Sequence, residues 1–452
     1  MLTYELKKLP GIPLYEGLYR CIREDILSGK LPAGEKLPSK RALAANLKVS
    51  KITVETAYAQ LLSEGYISSR EKVGYFVEAV APFEKKLPLP PTETGQPAQK
   101  LLDLTANASA DFPFSVWSRL HRQVLLDMGE QLLRPLEHQG CLQLRRAIAG
   151  HLAQFRGMVV DPENIVIGAG TDFLYNLLIQ LLGRDKTYAV EEPGYGKIRK
   201  VYAAGGVVCV DAPMDSQGVI PEGLENADVL HISPSHHFPT GLVTSAARRQ
   251  ELLRWAEKRG GFIIEDDYDS EFRFHARPMS TLQAMDRQGR VIYMNTFSKS
   301  LAPSIRISYM ILPGWLMEQF RRELGFYSCT VASFEQYTLA RFLEEGHFEK
   351  HINRMRKFYR ARRNRVAAAL ERCPYADALT ILEQDAGLHF LVRVDTQLTD
   401  EALVERFRRA GVLVRTLSSY YHRGPGPEKH CLVVNYSGLE EGELFRLQNV
   451  EL

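Results

Sequence analysis

Apolar residues recur at every fourth position through Leu14, Leu18, Ile22 and Ile26, the spacing of one face of an amphipathic helix, and Gly29 marks its end. After the turn-rich stretch KLPAGEKLP, Ser39 is placed to cap a short helix over SKRALAANL. Ser50 is placed to cap a second helix over residues 52–63, whose inward face is Val54, Ala57, Tyr58, Leu61 and Leu62. Gly65 and YISSREKVGYFV then read as two short strands around a tip at residues 72–74. The sum is a winged helix-turn-helix.

The pattern then changes twice. Residues 79–100 hold five prolines and few packable apolar side chains, so residues 80–100 are expected to form a semi-stiff linker after a first domain at 1–79. Beyond it, β-rich runs alternate with helical stripes: NIVIGAG, TYAVEEPGY, VVCVDAP, VLHISPS, GFIIEDDY and RVIYMNTFSKS. Such alternation predicts an α/β fold, a mostly parallel sheet with helices on both faces, over residues 101–328. The remainder, 329–452, is strongly helical at first and ends in a few strands, including GLHFLVRV and HCLVVNYS. It is expected to form connecting helices and a small α/β lobe.

A chain of 452 residues exceeds the roughly 250–300 at which single cores stop growing, which agrees with this division. With 45% hydrophobic and 25% charged residues it belongs with folded, soluble chains and not with disordered or collagen-like ones. No apolar run approaches the roughly 20 residues that span a bilayer, and the start lacks an apolar signal core, so a cytoplasmic protein without a membrane span is expected. Cys21, Cys141, Cys209, Cys329, Cys373 and Cys431 show no metal-ligand spacing and read as free thiols; no metal is expected. The net charge is +3, but residues 1–77 carry twelve Lys and Arg against eight Asp and Glu. The basic excess therefore sits on the helix-turn-helix, where it suits a polyanion.

A head that reads duplex DNA needs a helix for the major groove, polar side chains at its start and groups that fix phosphates. Lys51 and Thr53 lie in the first turn of the recognition helix, behind Ser50. Ser39 and Arg41 open the preceding helix, and Arg70, Lys72 and Gly74 form the wing. The segment LPSKRALAANLKVSKITVETAYAQLLSEGYISSREKVGYFV resembles the winged helix of GntR-type regulators, with Lys51 where an arginine is usual and Ile52 where an asparagine is common.

Four segments of the large domain carry chemistry. In TFSKSLAPSIRISYM, Lys299 stands among Thr296, Ser298 and Arg306, a set suited to a nucleophilic amine beside a bound phosphate. GFIIEDDYDSEF is an apolar strand that ends in carboxylates followed by Tyr268, where open α/β sheets bind ligands. IVIGAGTDFLYNLL puts Gly168, Gly170 and Thr171 at a strand-to-helix handover that can receive a phosphate. EEPGYGKIRK offers Tyr195 as a flat ring for stacking.

Joined in this order, the segments resemble the fold-type I aminotransferases that use pyridoxal 5′-phosphate, and the whole chain resembles the MocR/GabR-like branch of GntR regulators. The resemblance implies that Lys299 is the Schiff-base lysine, Asp266 the partner of the pyridine nitrogen with Asp267 as the competing choice, and Tyr268 the contact to the phenolic oxygen. It implies a phosphate cup of Gly170, Thr171, Thr296, Ser298 and Arg306, and Tyr195 as the stacking ring. PSHHFPTG matches the branch's PSHQFPTG, with His237 in place of glutamine at the cofactor and Phe238 where plain aminotransferases carry asparagine. Two anchors for a substrate carboxylate depart from the pattern: Val433 stands two residues before Asn435, where an arginine is expected, and Lys197 replaces an arginine after PGY, with Arg415 as a possible substitute. The seven basic residues from Arg354 to Arg365 read as a solvated helix face or dimer contact, because Met355, Phe358 and Tyr359 interrupt them.

The expectation is a homodimeric transcription regulator that binds double-stranded operator DNA and senses pyridoxal phosphate or an amino-acid-type effector. The alternatives are a working aminotransferase with a DNA-binding arm, and a DNA-binding protein whose large domain only dimerises.

Overall fold

Ser39 and Ser50 both sit at helix N-caps in the computed structural model, each hydroxyl accepting from the backbone N–H three residues on, Ala42 at 3.2 Å and Thr53 at 3.1 Å. The structure describes residues 2–4, 13–70, 73–80, 101–106, 111–272, 279–382, 387–439 and 441–452. Residues 81–100 of the linker expected at 80–100, and the wing residue Lys72, lie outside them. The chain divides into two units, Met1–Ala98 and Gln99–Leu452.

The first unit holds α1 (Leu14–Leu27), α2 (Lys40–Leu47), α3 (Lys51–Ser63) and a hairpin of β1 (Ile67–Arg70) and β2 (Gly74–Val77). Because Ser50 is the cap, α3 begins one residue earlier than the apolar stripe suggests. The tight break between α2 and α3 turns on Lys48, a non-glycine residue in the left-handed region with φ 53°. Leu18, Ile22, Ile26, Leu43, Val54, Ala57, Tyr58, Leu61, Ile67 and Val77 close one small core. Leu62 is only partly buried at its edge. The Tyr58 hydroxyl donates to the Pro38 carbonyl at 3.0 Å, so the polar end of a buried ring is satisfied.

In the second unit, β3 (Leu102–Asp103) precedes α4 (Phe114–Met128) and α5 (Leu142–Arg156). Next come β4 (Ile165–Gly168), α6 (Thr171–Leu182), β5 (Thr187–Glu192), α7 (Gly196–Ala204), β6 (Val208–Asp215), β7 (Gly218–Val219), β8 (Val229–Ile232), β9 (Phe262–Asp266), β10 (Val291–Thr296) and β11 (Ser308–Ile311). These strands form one eight-stranded sheet in the order β4-β11-β10-β9-β8-β5-β6-β7. Its centre is parallel, as the alternation predicts. β11 runs antiparallel between β10 and β4, and its register sets Thr296, Ser308 and Gly168 side by side. Apolar clusters cover both faces, one around Leu174, Leu178, Ile264 and Met294, the other around Leu230, Leu252 and Ile263.

The lobe at the end is an antiparallel sheet of β12 (Leu379–Leu382), β13 (His389–Val394) and β15 (Cys431–Asn435), while β14 (Val412–Leu413) pairs with β3. The long helix His347–Leu370 buries Met355 and Tyr359. Several of its cations are engaged within the unit: Arg356 donates to the Glu271 carbonyl at 2.6 Å, and Arg362 and Arg365 pair with Glu441. Among the described residues no helix is long and apolar enough to cross a membrane.

Candidate functional site

The carboxyl-terminal ends of β4, β5, β8, β9 and β10 share one rim of the sheet, and a cavity of about 320 Å³ opens over it. Thr171, Tyr195, Asp266, Tyr268, Thr296, Ser298, Lys299 and Arg306 all line this cavity, so segments up to 135 residues apart converge as the sequence predicted. Lys299 lies in a one-turn helix, Phe297–Ser300, directly after β10. Burial pushes its amine down to about 8, against the opposing pull of Asp269 and Asp266.

Asp266 ends β9. Its Oδ2 accepts from the Tyr175 hydroxyl at 2.6 Å and lies 3.6 Å from His231 Nε2, whose other ring nitrogen meets the Tyr202 hydroxyl at 2.6 Å. Asp266 Oδ1 is buried without a partner. Asp267 points away from the cavity, into a pair with Arg156 at 2.6 Å and a hydrogen bond from Tyr293 at 2.7 Å. Burial raises its pKa, but Arg156 and three hydroxyl donors outweigh that and hold the carboxyl below the usual range.

At the other end of the cavity, Gly170 is the N-cap of α6 with φ 90° and no side-chain cap, which leaves the first N–H groups of the helix free. Any side chain at 170 would run into the Arg306 guanidinium, so glycine here is what lets the arginine approach the helix start. Ser298 Oγ is buried without a partner. Free helix N–H groups, a hydroxyl and a guanidinium fit a phosphate, and a buried acceptor without a donor fits a protonated ring nitrogen. The donor set thus fits a phosphorylated pyridine aldehyde with Lys299 as the amine that meets the aldehyde.

One expected contact is corrected. His237 does not line the cavity: its ring is fully buried, with Nδ1 at 2.7 Å from Thr240 and Nε2 facing Glu191 at 3.6 Å. Phe238, the next residue, takes the place at the cavity wall, edge-on to Tyr195 at 5.9 Å.

Sequence reasoning missed Tyr175, Glu191 and His389. Tyr175 lies one turn into α6, so its reach to Asp266 depends on how α6 packs across the sheet. Glu191 lines the cavity with its side chain largely buried, and burial lifts its carboxyl well above the usual range. His389 comes from β13, its ring tilted against that of His236 at 4.7 Å and edge-on to that of Phe238 at 5.1 Å; burial holds it well below the ordinary imidazole value. The only signal for Glu191 was its place at the end of an apolar strand.

The departures from the aminotransferase pattern have clear settings. Val433 and Asn435 are two apart on β15 and face the same side. Val433 packs with Leu391, Leu417, Phe238 and Tyr420, an apolar wall. Arg415, exposed, lines an outer cavity of about 800 Å³ together with Val433, Tyr420 and Asn435. Lys197 is tied to Asp172 at 2.6 Å.

In the first unit, Arg41, Lys51 and Arg70 are exposed, the Arg70 guanidinium lying 4.6 Å over the Phe76 ring. Thr53 is half-buried and its hydroxyl is 2.8 Å from that of Ser50. Gly74 opens β2 at φ 135° beside the Lys36 side chain.

Residues 14–77 match the family model of bacterial regulatory proteins of the gntR family, and residues 99–447 match that of class I and II aminotransferases. The HTH-type transcriptional regulator YdeL of Bacillus subtilis is 37% identical, over 98% of this chain and 97% of its own. The probable rhizopine catabolism regulatory protein MocR of Rhizobium meliloti is 32% identical over 95% and 91%. The HTH-type pyridoxine biosynthesis transcriptional regulator PdxR of Corynebacterium glutamicum is 32% identical over 88% and 87%. Among solved structures, a kynurenine aminotransferase of Pyrococcus horikoshii matches 78% of this chain and 90% of its own with a TM-score of 0.68 at 24% identity, a likeness of fold.

Proposed function

The chain belongs to the gntR family of bacterial regulatory proteins and carries a class I and II aminotransferase domain, and we propose from this premise that its second unit senses an amine and thereby governs operator binding by the first. It is a transcription regulator, and its aminotransferase domain takes pyridoxal 5′-phosphate. When bound, that group supplies an electrophilic aldehyde carbon and an electron-withdrawing ring.

Lys299 contributes the amine, kept partly neutral by burial. Asp266 Oδ1 accepts the ring N–H, and Tyr175 and His231 hold the carboxylate in place. Ser298, Arg306 and the first N–H groups of α6 hold the phosphate, and Tyr195 covers the ring. The observation that carries this assignment is a pair of buried atoms without partners, Asp266 Oδ1 and Ser298 Oγ, on two residues that line the cavity beside Lys299.

The effector is an amine that needs no carboxylate anchor at position 433, because the wall there is apolar and Lys197 is occupied by Asp172. The partnership is a homodimer. A working aminotransferase is the second reading, favoured by the intact set around Lys299; the apolar Val433 wall weighs against it. Binding of the full chain to DNA from upstream of its own gene, with and without pyridoxal phosphate and a panel of amines, tests the proposal. Affinity should change with at least one of these additions. DNA binding indifferent to all of them, together with multiple turnover of a common amino acid, would make the enzyme primary.

A further inference from the structure

The recognition helix carries an apolar residue where a solvated face is expected. Ile52, in the first turn of α3, is 73% exposed, the most exposed large hydrophobic side chain among the described residues of the first unit. The buried face of α3 is Val54, Ala57, Tyr58 and Leu61. At about 100° per residue, Ile52, Thr56, Ala59 and Ser63 fall within a stripe about 60° wide on the opposite side. The first three are exposed and each carries a methyl group, while Ser63, at the far end of the helix, donates its hydroxyl to the Gln60 carbonyl at 2.8 Å.

The polar neighbours of this stripe are engaged elsewhere. Glu55 pairs with Lys40 at 2.7 Å, and Gln60 donates to Glu64 at 3.1 Å. No arginine, asparagine or free glutamine lies on the stripe, so it lacks the bidentate groups that read guanine or adenine. Exposed cations surround the helix start instead: Lys51, Lys48 and Arg41, with Arg70 on the hairpin. An apolar stripe framed by cations matches the major groove, where the thymine C5-methyl is the one apolar group on a base edge and phosphates border it.

We infer that α3 selects thymine by its methyl group, with Ile52 packed on the C5-methyl of a thymine at the start of each half-site and Thr56 and Ala59 lining the same track. This rests on the operator-binding reading and adds the base and the residue that reads it.

The test begins with selection of preferred sites by the full-length chain, loaded with pyridoxal phosphate, from random-sequence duplexes. In the enriched site each thymine of one half-site is then replaced singly by deoxyuridine, which removes the methyl and leaves every hydrogen-bonding group. At least one replacement should weaken binding about three- to five-fold, the worth of one buried methyl. Ile52→Ala should weaken binding to the thymine site by a similar factor, abolish the deoxyuridine penalty at one position and leave the salt slope unchanged. Because Ile52 is exposed, its removal leaves the fold intact, which circular dichroism verifies. Penalties below 1.5-fold at every thymine, or a penalty that persists undiminished in Ile52→Ala, would overturn the inference while operator binding stands. Selection that enriches no sequence would instead overturn the operator reading itself, and this inference with it.

Discussion

Asp266 and Asp267 are chain neighbours with opposite surroundings: Asp266 meets Tyr175 and the cavity, whereas Asp267 is paired with Arg156 behind the sheet rim. The two carboxylates therefore have separable functions. Asp267→Ala would leave the largely buried Arg156 side chain without its counter-charge and should destabilise the fold by about 3–5 kcal/mol, read as a lower denaturant midpoint. Asp266→Asn should leave that midpoint nearly unchanged but weaken pyridoxal phosphate binding by at least about tenfold, through loss of one charge-assisted hydrogen bond. Equal stability losses in both variants would contradict the assignment.

Lys299 should be the residue labelled when the chain is incubated with pyridoxal phosphate, reduced with borohydride and mapped by peptides. Its value, pushed down to about 8, lies below the usual lysine value, so the neutral, reactive fraction of the amine falls as pH drops below 8 and predominates above it. Covalent capture should slow about tenfold for each pH unit below 8 and level off above it. Stopped-flow absorbance checks this; a rate flat from pH 6 to 8 would show that Lys299 is already neutral there.

Ordinary α-amino acids should be poor ligands and poorer substrates, because a carboxylate set against the wall of Val433 and Phe238 loses its hydration and finds no cation in that wall, Arg415 standing exposed elsewhere on the same outer cavity. Val433→Arg should raise α-amino acid affinity about tenfold or more if the guanidinium reaches the cavity, and should raise single-turnover rates from a low baseline. Keto-acid detection provides the readout. Rapid multiple turnover by the wild-type chain would contradict the prediction at once.

On the DNA side, Arg41 and Arg70 are exposed cations suited to phosphates. Replacing either by alanine should lower the magnitude of the log–log salt slope of operator binding by about one, with weakening shared by all sequences. A variant whose affinity and slope both match the wild type has no part in the interface.

What the sequence alone determined is local. Apolar periodicity and serine caps placed α1, α2 and α3 to within a residue or so, because hydrogen bonds and capping act over three or four positions. The motif residues Lys299, Arg306, Thr171 and Tyr195 were legible because their segments resemble those of fold-type I aminotransferases, and they meet because the connections that carry them share one rim of the sheet. The tertiary structure alone decided which way each side chain faces. It turned Asp266 to the cavity and Asp267 to Arg156, since adjacent residues leaving a strand point to opposite sides. It swung His237 inward onto Thr240 and put Phe238 at the wall. It also brought Tyr175, Glu191 and His389 to the site from elements with no motif of their own, because their roles come from packing between distant segments, which no local pattern encodes.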